Sequence, residues 1–209
     1  GAALGHRAEL VHVTEHVGQR DHGIDDLRDA ARLGALDLTT PRVQVADDIA
    51  ATGAERPLII VEDITADGMA ERIQSNVMDH FGRLDILINN AGVALDKWQS
   101  GLELSVQVLQ QTLETNLYGP LRLCQLFIPE MKRTGYGRVV NLSTELASLN
   151  EMEMGSTVAY RSSKTALNAI TKLLALELKD YPNILVNAVC PGWVLTELGG
   201  EGAPLTPEQ

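Results

Sequence analysis

The chain has few aromatic residues, few cysteines and a deficit of positive charge, and each shortage excludes a class of protein. Aromatic residues make up 4% of the 209 residues, so any core must consist mainly of aliphatic side chains. The only two cysteines, Cys124 and Cys190, cannot supply a disulfide framework, and we expect both to be buried as small hydrophobic residues. The net charge of −11 argues against nucleic acid and anionic membranes as partners.

Long hydrophobic segments are also missing. No run of about 18 apolar residues and no signal peptide is recognisable, so we expect a cytoplasmic protein without membrane contact. Hydrophobic residues still make up 44% of the chain, which predicts one domain with a sizeable core.

Short apolar runs alternate with helical patterns through the middle of the chain. Strands are predicted at residues 84–88, 138–142 and 184–189, and helices at residues 68–81, 106–133 and 158–179. This alternation predicts an α/β fold, a doubly wound, Rossmann-like parallel sheet with helices on both faces.

Tyr160 and Lys164 are four residues apart in a predicted helix, so their side chains leave the same face. A phenol has an ordinary pKa of roughly 10 and exchanges protons poorly near neutral pH. An ammonium group beside it favours the phenolate and so lowers that pKa. The pair is therefore a candidate for general acid/base catalysis.

Polar and small residues stand where the predicted strands end. Asn89–Gly92 follows the first strand, Ser143 and Thr144 end the second, and Cys190–Thr196 follows the third. Asn116 lies inside a long helical stretch, although asparagine is an indifferent helix former, so its position requires a reason.

In this order and spacing, the features from about residue 56 to residue 200 resemble the short-chain dehydrogenase/reductase family, especially its carbonyl-reductase-like branch. The resemblance implies an oxidoreductase that transfers hydride between NAD or NADP and a small-molecule carbonyl or alcohol. Tyr160 would be the general acid/base, and Lys164 would lower its pKa and bind the nicotinamide ribose. Asn116 would hold a water that links the lysine to a proton relay.

The hydroxyl that orients the substrate carbonyl in this family falls at Thr144, where the family normally has serine. Threonine keeps the donor but adds a methyl group and stiffens χ1. The neighbouring Ser143 could replace it only after rearrangement of the strand end, since adjacent strand residues point to opposite faces.

The resemblance also implies contacts with the cofactor. The residues concerned are Asp63 and Ile64 beside the adenine, Asn90, Ala91 and Gly92 on the ribose side, and Pro191, Gly192, Val194 and Thr196 around the nicotinamide. Asp37 would favour NAD whereas Arg42 would favour NADP, and the choice stays open.

The two ends of the chain depart from the family pattern. The nearest candidate for a glycine-rich phosphate turn is residues 18–25, where Asp25 replaces the last glycine and would repel phosphate. Residues 10–13 make a poor first strand. We therefore expect one domain with an atypical part (1–55), a family-like core (56–200) and a loop-like tail (201–209), lacking an intact phosphate loop and the family's last strand.

Several interpretations remain open. His12 and His16 have helical spacing, but surface exposure is expected rather than a metal site. Trp98 and Trp193 line a substrate pocket or pack at the mouth of the sheet, and residues 151–154 are expected to be an exposed loop.

The alternative function is a non-catalytic or truncated family member that acts as an interaction module without cofactor. A homodimer or homotetramer is expected by resemblance. Its contact would use the outer faces of the two long helices, with Leu113, Leu117, Leu167 and Leu174 as candidates.

Overall fold

The computed structural model describes residues 11–12, 47–48, 50–53, 57–196 and 198–206. The chain divides into two compact units, one formed by Gly1–Glu15 with Glu62–Gln209 and the other by His16–Val61. In the second unit, the N–H of Gly53 donates to the carbonyl of Ala50 at 3.0 Å and closes a turn. The candidate phosphate turn at 18–25, the pair Asp37 and Arg42, and His16 lie outside the described residues.

The first unit contains a parallel sheet. Its strands, in spatial order, are β1 (Val11–His12), β2 (Ile86–Asn89), β3 (Gly137–Leu142) and β4 (Ile184–Val189). Residues 10–13 were expected to make a poor first strand, and β1 comprises only two residues, which pair with Leu87 and Ile88. Asn89 pairs with Asn141 and Leu142 with Val189, so the carboxyl ends of β2, β3 and β4 are nearly level.

Four α-helices lie in the described part of this unit. They are α1 (Met69–Phe81), α2 (Val106–Leu113), α3 (Gly119–Thr134) and α4 (Val158–Glu177). Helix α1 packs against α3, and α4 packs against α2 and β4. This order of parallel strands with helical crossovers confirms the predicted Rossmann-like fold.

The predicted helix at 106–133 is interrupted by a π-helical turn, Glu114–Tyr118. A π turn inserts one residue into the helical spiral and turns the side chains beside it. Thr115, Asn116 and Leu117 are buried there, so this irregular turn points inward.

The core is aliphatic, as the composition predicts. Its large side chains with almost no exposure are Ile64, Met69, Ile73, Val77, Leu84, Leu87, Leu123, Phe127, Met131, Val139 and Leu167. Two candidates for an outer helical face were therefore wrong, because Leu117 and Leu167 are buried and pack inside the protein.

The two cysteines lie in different environments. Cys124 is buried in α3, and this burial raises the pKa of its thiol to about 12. Cys190 is exposed, which corrects the expectation that both are buried; it lies just beyond β4, at an edge of the described sheet.

Beyond β4, the described residues 190–196 and 198–206 add no strand to the sheet, although Val194 and Leu205 form an isolated parallel bridge. Within the described part of the chain, no helix is long and apolar enough to cross a membrane. The same residues contain no cluster of three or more metal-ligating side chains.

Candidate active site

Asn116 ties the π-helical turn to the loop after β2. Its Oδ1 accepts a hydrogen bond from the N–H of Val93 at 2.8 Å, and its Nδ2 donates to the carbonyl of Val93 at 2.8 Å. Nδ2 also donates to Oγ of Ser163 in α4 at 2.9 Å. Because one amide satisfies both backbone groups of Val93, it fixes the loop against two helices. This is the structural reason for an asparagine inside a helical stretch.

Lys164 lies almost wholly inside the protein. It is 4% exposed, and its Nζ donates to the carbonyl of Leu142 at the end of β3, at 2.7 Å. Burial disfavours the charged form and lowers the pKa of Lys164 to about 8. An ammonium group has three donors, so this hydrogen bond leaves capacity for others.

Gly92 leaves a small space beside Lys164. A Cβ atom at this position would lie 3.3 Å from Nζ of Lys164 and 3.5 Å from Oδ1 of Asn116. The first distance is tight and the second is an ordinary contact, so a side chain here would displace Nζ of Lys164 slightly, whereas glycine leaves it in place.

Tyr160 lies one turn before Lys164 in α4 and is hydrogen-bonded to Thr144. Burial raises the pKa of the Tyr160 phenol above its ordinary value, while the hydrogen bond from Thr144 acts in the opposite direction. The sequence led us to expect a pKa lowered by Lys164, and this structure contradicts that expectation because desolvation is the largest effect.

Thr144 and Ser143 have different partners. Oγ1 of Thr144 accepts a hydrogen bond from the N–H of Leu146 at 3.2 Å, which orients the hydroxyl that meets Tyr160. Oγ of Ser143 instead donates to Oδ1 of Asn168 in α4 at 2.7 Å. The two hydroxyls therefore diverge, as alternation along a strand requires, and Thr144 is the one beside the phenol.

A buried row of amides holds the strand ends level below these residues. Nδ2 of Asn89 donates to Oδ1 of Asn141 at 2.7 Å, and Nδ2 of Asn141 donates to Oγ1 of Thr171 at 2.8 Å. These contacts join β2, β3 and α4; Gly92 and Thr144 follow the two strands within three residues, and Tyr160 lies in α4. They therefore stabilise the spacing of the site.

The predicted cofactor contacts fall on three segments. After β2, Asn90 is exposed while Ala91 is buried. Beyond β4, Pro191, Gly192 and Thr196 are exposed and Val194 is half-buried. Thr196 organises a turn there, because its Oγ1 accepts from the N–H of Gly199 at 3.0 Å.

Asp63 and Ile64 form the third predicted segment. Oδ1 of Asp63 accepts from both the N–H and the hydroxyl of Thr65, at 2.8 and 2.7 Å. The side chain of Ile64 is buried, and a Cβ at Gly119 would lie 2.5 Å from its Cγ1. Ile64 therefore packs into the core beneath the helix, and Asp63 is the more accessible of the pair.

Both tryptophans are exposed, Trp98 by 65% and Trp193 by 49%. Trp193 also donates from Nε1 to the carbonyl of Gly199 at 2.9 Å, and both interpretations of the two tryptophans stay open. Lys97, next to Trp98, contacts the segment after β4, because its Nζ donates to the carbonyl of Leu198 at 3.3 Å. Residues 151–154 form the expected loop, in which the carbonyl of Met154 accepts from the buried Arg161 at 2.8 Å.

Sequence reasoning missed Asp96, which is buried and accepts backbone hydrogen bonds at the start of α4. It missed Ser163 and Asn168 as partners of Asn116 and Ser143 as well. None of the three carried a local signal, because each acts on a residue at least 25 positions away.

The family profile described as short chain dehydrogenase matches residues 27–204. The chain belongs to the short-chain dehydrogenase family. In this short-chain dehydrogenase, Asn116 lies in the π-helical turn, and Tyr160 and Lys164 lie one turn apart in α4.

Curated relatives and solved structures agree with this assignment. An NAD-dependent glycerol dehydrogenase of Listeria innocua is 35% identical over 74% of this chain and 59% of its own length. An L-fucose dehydrogenase of Oryctolagus cuniculus is 34% identical over 70% of this chain and 49% of its own. The chain thus spans about half of the curated relatives it matches.

Among solved structures, the carbonyl reductase Sniffer of D. melanogaster has a TM-score of 0.71 and 28% identity. That match covers 79% of this chain and 71% of the other. An NADPH-bound carbonyl reductase from chicken fatty liver has a TM-score of 0.67 and 26% identity, covering 76% of this chain and 66% of the other.

The described residues fit the nicotinamide half of a dinucleotide. The space kept open at Gly92, the spare donors of Lys164 and the exposed segment after β4 lie at the carboxyl ends of parallel strands. Ligands of open α/β sheets bind at that edge.

Proposed function

We propose that this protein is an NAD- or NADP-dependent oxidoreductase that interconverts a small-molecule carbonyl and an alcohol. The observation that carries the proposal is the cluster at the carboxyl end of β3, where Thr144 contacts the phenol of the half-buried Tyr160 and the buried Lys164 lies one helical turn away. The nicotinamide half would be held by residues after β2, in α4 and after β4: Asn90, Ala91, Gly92, Lys164, Pro191, Gly192, Val194 and Thr196. When bound, the cofactor supplies or accepts the hydride.

The chain's own residues manage the proton. Since burial raises the pKa of Tyr160, its phenol is protonated at neutral pH, the state that donates a proton to a carbonyl oxygen. The Thr144 hydroxyl orients the same oxygen. Lys164, whose pKa of about 8 lies near physiological pH, would return a proton to the phenolate.

A first experiment titrates the purified chain with NADH and NADPH and then compares Tyr160→Phe with wild type. We expect saturable binding of at least one cofactor, and turnover of a carbonyl panel that falls about 10²–10⁴-fold in the variant. Cofactor Kd and Tm should stay near wild type, because phenylalanine keeps the ring. Tyr181→Phe is the matched control, since Tyr181 is 41% exposed and precedes β4 at the opposite end of the sheet.

Two results would contradict the proposal. Retained turnover in Tyr160→Phe would remove the tyrosine from the reaction. A folded chain that binds neither cofactor would favour the alternative, a non-catalytic interaction module. The preference between the two cofactors would also be read from the titration.

A further inference from the structure

The first turn of α4 is held by a residue from a distant part of the chain. Its N-cap residue, Thr157, has a left-handed backbone (φ 58°, ψ 45°) and makes no side-chain cap hydrogen bond. The first N–H groups of a helix have no partners within it, so they need acceptors from elsewhere.

Asp96 supplies those acceptors. Its Oδ2 accepts from the N–H of Ala159 at 2.6 Å and its Oδ1 from the N–H of Tyr160 at 3.3 Å. Asp96 is only 2% exposed. A carboxylate at this point also faces the positive end of the helix dipole, so burial of its charge is compensated.

Neighbouring contacts extend this attachment over residues 96–100. The N–H of Trp98 donates to Oγ1 of Thr157 at 3.3 Å, and the carbonyl of Gln99 accepts from the N–H of Thr157 at 3.2 Å. Ser100 and Ser156 form an antiparallel bridge.

Trp98 has φ 64°, which is strained for a bulky residue. Such strain persists where the surrounding contacts determine the conformation. The attachment therefore fixes the backbone of the loop as well as that of the helix.

We propose that Asp96 is a positioning residue for Tyr160: it fixes the first turn of α4 and thereby the phenol relative to Thr144. The inference rests on the proposed function, because it assigns Asp96 to the geometry of the same reaction. In the loop after β2, Val93 is held by Asn116, and Asp96 is held by the first turn of α4. The loop therefore connects the nicotinamide side of the site to the proposed catalytic tyrosine.

The test compares Asp96→Ala and Asp96→Asn with a matched helix-cap variant. Ser105 caps α2 by accepting from the N–H of Val108 at 3.2 Å, and Ser105→Ala removes a cap of the same kind away from Tyr160. Both alanine variants should lower Tm, by about 2–4 °C for the lost cap in Ser105→Ala.

Only Asp96→Ala should lower kcat, by up to about 10²-fold, because a small displacement of a catalytic group has effects of that order. Cofactor Kd should stay within about twofold of wild type, since Asp96 is not among the cofactor residues. Asp96→Asn keeps one oxygen acceptor and should recover part of the rate.

Double variants separate positioning from general destabilisation. If Asp96 acts through the phenol, Asp96→Ala should leave the residual rate of Tyr160→Phe unchanged. A loss of kcat in Asp96→Ala no larger than in Ser105→Ala would overturn the proposal. An equal loss in the presence and absence of the Tyr160 hydroxyl would overturn it as well.

Amide hydrogen exchange tests the same inference without turnover. Asp96→Ala should speed exchange at the N–H groups of Ala159 and Tyr160 by at least about tenfold, because both lose their acceptor. Unchanged exchange there would overturn the inference. If the wild-type chain turns over no substrate, the proposed function fails, and this exchange measurement still decides whether Asp96 fixes the turn.

Discussion

Replacing Asn116 with alanine tests whether the π-helical turn exists to hold the loop after β2. Asn116 has no exposed surface and makes hydrogen bonds to the N–H and carbonyl of Val93 and to Oγ of Ser163. Asn116→Ala removes all of these contacts. Oγ of Ser163 keeps a partner, because it also donates to the carbonyl of Tyr160 at 2.7 Å.

The expected loss of stability in Asn116→Ala comes from the backbone of Val93. Its backbone N–H and carbonyl lose their side-chain partner at a residue that is only 9% exposed. An unsatisfied buried polar group costs about 1–3 kcal/mol, so the two together should lower the free energy of unfolding by about 2–6 kcal/mol. The loop carrying Gly92 should also loosen, and cofactor affinity should fall with it.

Urea unfolding followed by circular dichroism measures the first effect. The control is Asn76→Ala, because Asn76 is exposed on α1 and donates only to the carbonyl of Arg72 at 2.8 Å. We expect a change within about 0.5 kcal/mol for this surface position. If Asn116→Ala were no less stable than Asn76→Ala, the contact with Val93 would not explain the buried asparagine.

Two further predictions concern Lys164 and the surface of α4. Because burial lowers the folded pKa of Lys164 from 10.5 to about 8, the unfolded chain binds more protons between these values. The free energy of unfolding should therefore rise from pH 8 towards pH 10, by up to about 1.4 kcal/mol per pH unit. In urea titrations, Lys164→Met should abolish that rise, whereas the exposed control Lys172→Met should keep it. We also expect a homodimer or homotetramer by light scattering, through the exposed Leu173 and Leu176 of α4. Leu173→Glu with Leu176→Glu should give monomers, whereas Leu102→Glu in a loop should not; a monomeric wild type would refute this.

The helices of the described core were predictable because their signals are local. The predicted limits of α1 and α4 differ from those observed by one or two residues, since amphipathic periodicity and flanking glycines such as Gly82 mark them. The strand β2 was predicted to begin at residue 84 but begins at Ile86. Asp85 forms an ion pair with Arg83 before the strand, and periodicity alone does not register that contact.

The π-helical turn could not be predicted in the same way. Residues 114–118 contain no proline or glycine that would mark an irregular turn. Asn116 in this turn bonds to the backbone of Val93, 23 residues earlier, and no local pattern marks that contact. The sequence indicated that Asn116 is unusual inside a helix, but it did not identify Val93 as the partner of its amide.

The candidate site also has a part that local sequence predicts and a part that it does not. Tyr160 and Lys164 are one helical turn apart, so local geometry joins them before any fold is known. The pKa of Tyr160 was predicted in the wrong direction, because charge pairing is visible in a sequence whereas burial depends on the whole fold. Asp96 lies 63 residues from Ala159 and resembles any loop aspartate until the helix start is placed against it. The candidate catalytic residues can therefore be recognised locally here, whereas the contacts of Asp96 emerge only when the loop after β2 and the start of α4 are brought together.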